Sequence, residues 1–125
     1  MEQDEVMLAG GNTNQIVRIG DVVHRHPMRG SSAIEALLHD LSSKGFPYAP
    51  SFVGRDEMGR EMHSFIEGED TLTGKTFLSP TILPQAVLAL RAFHDLSTEF
   101  LHADHEWLFS YPDQSRHETI CHNDF

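Results

Sequence analysis

Cysteine occurs once, at Cys121, so no disulfide can close within the chain. That excludes a disulfide-stapled secreted scaffold and makes the cytoplasm the simplest expected setting. Basic residues are scarce as well: nine Lys and Arg stand against nineteen Asp and Glu, a formal charge of −10 at pH 7. Such a field repels phosphate backbones and anionic headgroups, which argues against nucleic-acid or membrane binding through a basic patch. Long apolar runs are missing. The longest aliphatic one, Ala86-Val87-Leu88-Ala89-Leu90, falls far short of the ~20 residues a bilayer requires. The first residues, Met-Glu-Gln-Asp-Glu, are acidic where a signal peptide is basic, so no export signal is expected. What remains is globular in character, with 39% hydrophobic and 22% charged residues and a mean hydropathy of −0.34. A length of 125 residues suits one compact domain or one lobe of a larger unit. Nine histidines exceed the usual share.

Alternation of apolar and polar residues predicts strands over 6–9, 15–19 and 22–26. Gly20-Asp21 between the last two is a two-residue hairpin signal. Pairing outward from that turn sets Ile19 opposite Val22, Arg18 opposite Val23, Val17 opposite His24 and Ile16 opposite Arg25. Ile16, Val23 and Arg25 then share one side of the hairpin. Ser32-Ala33-Ile34-Glu35 has capping-box spacing, and Ile34, Leu37, Leu38 and Leu41 continue at helical intervals until Gly45. A short strand around Phe52-Val53, a turn over 56–59 and a strand over 60–66 follow. From Ser79-Pro80 a second helix is expected, with Pro84 starting or kinking it. Its apolar positions Leu83, Val87, Leu90, Phe93, Leu96 and Phe100 suit burial on more than one side. In the tail, Trp107, Phe109 and Tyr111 are candidate anchors and 118–121 a candidate short strand. The order gives an α+β class: an antiparallel sheet of about five strands with one helix, then a helical segment.

Between the first two predicted strands lies Gly10-Gly11-Asn12-Thr13-Asn14, where glycine lets backbone N–H groups approach a ligand closely; taken alone, the motif reads first as a hairpin turn needing positive φ. Further on come Val23-His24-Arg25, Glu35 on the first helix, Ser64-Phe65-Ile66-Glu67-Gly68, Arg91-Ala92-Phe93-His94-Asp95 and the terminal Cys121-His122-Asn123-Asp124-Phe125. Taken in this order the pieces resemble the aminoglycoside phosphotransferase and choline kinase-like family of small-molecule kinases. The resemblance implies a protein-kinase-like amino-terminal lobe over 1–66. It implies a hinge and an incomplete helical carboxy-terminal lobe over 67–125, ending in the catalytic loop. The implied activity is transfer of the γ-phosphate of ATP or GTP to a hydroxyl of a small-molecule acceptor, with the Mg²⁺ ligands beyond Asp124 and this segment inactive alone.

Site roles follow from the same resemblance. Gly10, Gly11, Asn12 and Asn14 would cradle phosphate, Arg25 would reach it, and Ile16 and Val23 would flank the base. Glu35 would pair with Arg25 or else complete the capping box with Ser32. Ser64 and Ile66 would border a hinge that offers backbone groups to the nucleotide. Asp124 would orient the acceptor hydroxyl, with His122 bracing the loop. An exposed Arg25 on an edge strand and an ordinary strand end at Ser64 are the competing readings. His94-Asp95 and His102-Ala103-Asp104-His105 contain zinc-type ligands, yet no third ligand has fitting spacing and no metal site is assigned. Two further possibilities are a non-catalytic, dimerising nucleotide-binding module and a His-rich metal protein. The apolar second helix also suggests a homodimer through its exposed surface.

Overall fold

A computed structural model describes residues 4–8, 16–68, 80–100, 105–108, 110, 112, 113, 115 and 120. Strands β1 (Glu5–Met7), β2 (Ile16–Ile19), β3 (Val22–Arg25), β4 (Phe52–Arg55) and β5 (Glu61–Ser64) form one antiparallel sheet in the order β1-β2-β3-β5-β4. Helix α1 (Ser31–Ser43) lies between β3 and β4 in sequence, and α2 (Ile82–Phe100) follows β5. The class is α+β, as the sequence indicates.

The central hairpin has the register its turn dictates: Ile19 faces Val22, Arg18 faces Val23, Val17 faces His24 and Ile16 faces Arg25. Gly20 supplies the turn with φ of 62°, a conformation glycine adopts without steric cost. Strand limits differ from expectation where the chain enters turns. The Asp56 N–H donates to the Arg60 carbonyl and closes the β4–β5 turn, so β5 starts at Glu61 and its partner β3 ends at Arg25. Beyond Ser64, the Phe65 N–H donates to the Asp21 carbonyl, the next position in register with β3, and this bond closes the ladder at the hairpin turn. The expected strand over 60–66 is four residues long, Glu61–Ser64, between the turn that closes at Arg60 and the last ladder bond at Phe65.

Helix α1 begins one residue before the expected box, and the Ser32–Glu35 capping box does not form. Gly30 holds the N-cap position in the left-handed region at φ 87°, and no side chain caps the helix. A Cβ at Gly30 would lie 2.9 Å from the backbone nitrogen of Leu108, so conformation and close approach both require glycine. At the far end, Gly45 donates to Ser42 and Phe46 donates to Leu41, with Gly45 at φ 73°. That is the double hydrogen bond of a Schellman stop, which satisfies two otherwise orphaned carbonyls.

The core is small: Val17, Ala33, Leu37, Leu38 and Leu41 are its buried apolar members. Ile34, expected among them, is 41% exposed. Ala33, Leu37 and Leu41 repeat every four residues, and that stripe turns Ile34 toward solvent. Helix α1 covers the sheet face that carries Phe52, Arg55, Glu61 and His63. The His39 ring meets Phe52 edge-on at 5.5 Å.

Pro84 falls in the first turn of α2, where its missing N–H has no intrahelical partner to lose, so it starts the helix. The second half of α2 is tied down. Lys44 Nζ reaches Asp40 at 2.8 Å, Glu99 at 3.4 Å and the Leu96 carbonyl at 3.3 Å. Ser97, fully buried, accepts the Ile120 N–H at 3.1 Å. Phe100 stacks on His105, and Trp107 meets it edge-on. In the first half, Leu83, Val87 and Leu88 are exposed, against the expected burial on more than one side. Among the described residues, no helix is long and apolar enough to cross a membrane.

Candidate functional site

Antiparallel pairing sets Arg25 opposite Glu61 and Val23 opposite His63, next to the Ile16–Arg25 pair. Since directly opposed residues share a face, Ile16, Val23, Arg25, Glu61 and His63 lie together on the side that α1 covers. The expected grouping of Ile16, Val23 and Arg25 is therefore present. Opposed Arg and Glu ordinarily pair. Here Arg25 Nε and Glu61 Oε1 are buried, and neither has a hydrogen-bond partner among the described residues. The other carboxylate oxygen, Glu61 Oε2, accepts the Ser31 hydroxyl at 3.4 Å, and Ser31 Oγ accepts the Met28 N–H at 2.8 Å. The mouth of α1 thus holds Glu61 in place.

His63 completes the cluster, with its ring edge-on to Phe52 at 5.8 Å and its Nε2 also without a partner among the described residues. Burial pushes its pKa below 6.5, and the Arg25 charge pushes it further the same way. The neutral ring is favoured in the folded protein, so acidification through 6.5 costs stability. Arg25→Met should raise the His63 midpoint in an NMR titration; an unchanged midpoint would leave burial as its only cause. Chemically, the cluster offers an obligatory donor at Arg25 Nε, a carboxyl oxygen at Glu61 Oε1, and an imidazole of either role. It suits a group that both donates and accepts.

Other expected site residues are placed differently. Glu35 pairs with Arg55 at 3.4 Å and not with Arg25. It lies one turn further along α1, above β4, while the residue opposed to Arg25 is Glu61. Ser64 faces the opposite side of the sheet, and its hydroxyl accepts the Ser51 N–H at 2.8 Å, a strand-end bond. Ile66 is exposed beyond the strand. Gly10, Gly11, Asn12, Asn14, His122 and Asp124 lie outside the described residues, as do Phe109, Tyr111, His102 and Cys121. Asp95 pairs with Arg91 at 3.0 Å.

Sequence reasoning missed Glu61 and His63, although polar residues at both inward positions of a short strand were a usable signal. It also missed a chain of charges on the far face. Arg60 Nε donates to Asp56 at 2.7 Å, Arg60 also reaches Glu5 at 3.1 Å, and His24 Nδ1 lies 2.8 Å from Asp56. A carboxylate only accepts, so Nδ1 carries the proton in this contact. Burial alone would raise the Asp56 pKa. Hydrogen bonds from His24, the Arg60 side chain and the N–H groups of Arg60 and Met58 outweigh it and hold the carboxyl well below the ordinary 3.8.

Comparison with known proteins decides what this scaffold is similar to. The trifolitoxin immunity protein of Rhizobium leguminosarum bv. trifolii is 42% identical over 99 residues, which is 78% of this chain and 37% of that protein. The chain thus matches little more than a third of its relative's length. No family model matches the chain, and no solved structure matches it. These findings overturn the resemblance to aminoglycoside phosphotransferases and choline kinases, and with it the expected phosphotransferase activity. The quoted motifs are short and rich in Gly, Asn, His and Asp, residues that turns and loop ends favour for local reasons. An identity of 42% across 99 residues carries far more information than such fragments.

Proposed function

We propose that this chain acts in immunity to a toxin, and that the Arg25–Glu61–His63 cluster, in which Glu61 and His63 are buried, is its working site. One observation carries the reading: the 42% identity over 99 residues with the trifolitoxin immunity protein. The choice of site is supported by the cluster's cost. Burying charged groups with unpaired atoms weakens a small domain by roughly 1–3 kcal/mol per orphaned group, and residues kept at such expense are expected where function selects them.

The test is protection. The chain is expressed in a strain sensitive to trifolitoxin, and growth is compared with an empty-vector control across a toxin series. Growth at concentrations that stop the control is expected. A folded, well-expressed chain that gives no protection would overturn the immunity reading. Arg25→Ala and Glu61→Gln should each reduce protection at an unchanged protein level; full protection in both would remove the cluster from the mechanism while leaving the immunity reading standing.

A further inference from the structure

We propose that the first half of α2 is a docking surface for a second copy of this chain. Residues 82–90 contain no charged side chain, and within them Leu83, Val87 and Leu88 are exposed by 49%, 57% and 69%. Pro84, Val87, Leu88 and Arg91 follow at i, i+3, i+4 and i+7, so they form one outward stripe, and all four are exposed. Ala86 is exposed beside it and is small enough to let another helix approach closely.

Charge admits a second copy here and, among the described residues, nowhere around it. Each chain carries −10, so two copies repel except where both present neutral surface, and this window supplies it. The adjoining charges are already balanced: Arg91 is bound to Asp95, and Lys44 to Asp40 and Glu99. A strongly cationic partner would therefore find no free acidic rim among these pairs. Shape agrees with a two-fold arrangement. Antiparallel α2 helices crossing near Val87 and Leu88 put each Val87 against the other copy's Leu88, with the Arg91 stem lying over the other copy's Pro84.

The area fits a weak dimer. Large apolar side chains exposed to this degree contribute on the order of 100 Å² each, and their smaller neighbours bring the total for two copies to roughly 1,000 Å², the lower limit for a specific interface. Association should thus be concentration-dependent. It should also tighten as salt screens the mutual repulsion, the opposite of an interface built on ion pairs.

Sedimentation velocity of the whole chain at rising concentration, in low and high salt, tests this. The expected result is a shift from 14.1 kDa toward twice that mass, stronger at high salt. Leu88→Glu should weaken the dimer about tenfold or more, with its circular dichroism unchanged. Should Leu88→Glu not fold, Val87→Cys in a Cys121→Ser background gives the second readout, because residues near a two-fold axis oxidise to a covalent dimer. A monomer at every concentration and salt overturns the proposal. So does a dimer that Leu88→Glu leaves intact, or one that salt dissolves.

Discussion

Asp56→Ala should lower folding stability by about 3 kcal/mol, the largest effect expected of any polar substitution among the described residues. The carboxylate receives four hydrogen bonds: His24 Nδ1, Arg60 Nε, and the N–H groups of Met58 and Arg60. Alanine removes the acceptor and leaves His24 and Arg60 buried without it. For a domain of this size the loss corresponds to a melting point roughly 10 °C lower. A melting point within a degree of the unsubstituted protein would show that the network contributes nothing. The pH dependence follows from sign. Because the folded Asp56 pKa lies below the ordinary 3.8, its contribution is complete above that value and fades as pH falls below it toward the folded pKa. Asp56→Asn, which cannot titrate, should lose less stability across that acidic range than the unsubstituted protein.

Leu41→Ala should cost about 3 kcal/mol as well, by a different route. Leu41 is 2% exposed and sits among Ala33, Leu37 and Leu38, so truncation leaves a cavity that a small core fills only in part. Ile34→Ala provides the contrast. Both residues belong to the same helical pattern in the sequence, yet Ile34 is 41% exposed, and its truncation should cost less than about 1 kcal/mol. Urea denaturation of the two variants separates them. Equal losses would mean that α1 does not rest on the sheet along its Ala33–Leu37–Leu41 stripe.

That contrast marks where the sequence could be read and where it could not. Local chemistry was legible: Gly20-Asp21 fixes the register of β2 against β3, and Gly45 stops α1. Exact facing was less so, because apolar periodicity allows more than one rotation of α1, and the cap at Gly30 depends on Leu108, 78 positions away in the chain. Glu35 illustrates the same limit. Its spacing from Ser32 suggests a local bond and the family resemblance implies Arg25, whereas tertiary packing brings Arg55 to it. At the candidate site, alternation placed Ile16, Val23 and Arg25 on one face, but Glu61 and His63 join them only through the non-local pairing of β3 with β5. The functional reading failed where it rested on short motifs whose residues turns also favour.

The ion pair between Arg60 and Glu5 spans 55 positions and fastens a three-residue edge strand whose own side chains are exposed. A growing chain releases that strand from the ribosome before anything else in the sheet, and its ladder with β2 can close once residue 19 is made, yet this side-chain tie arrives only with residue 60. Until that arginine emerges the strand rests on its β2 ladder alone, and nascent chains halted before it should leave residues 5–7 more open to proteases than the finished sheet does.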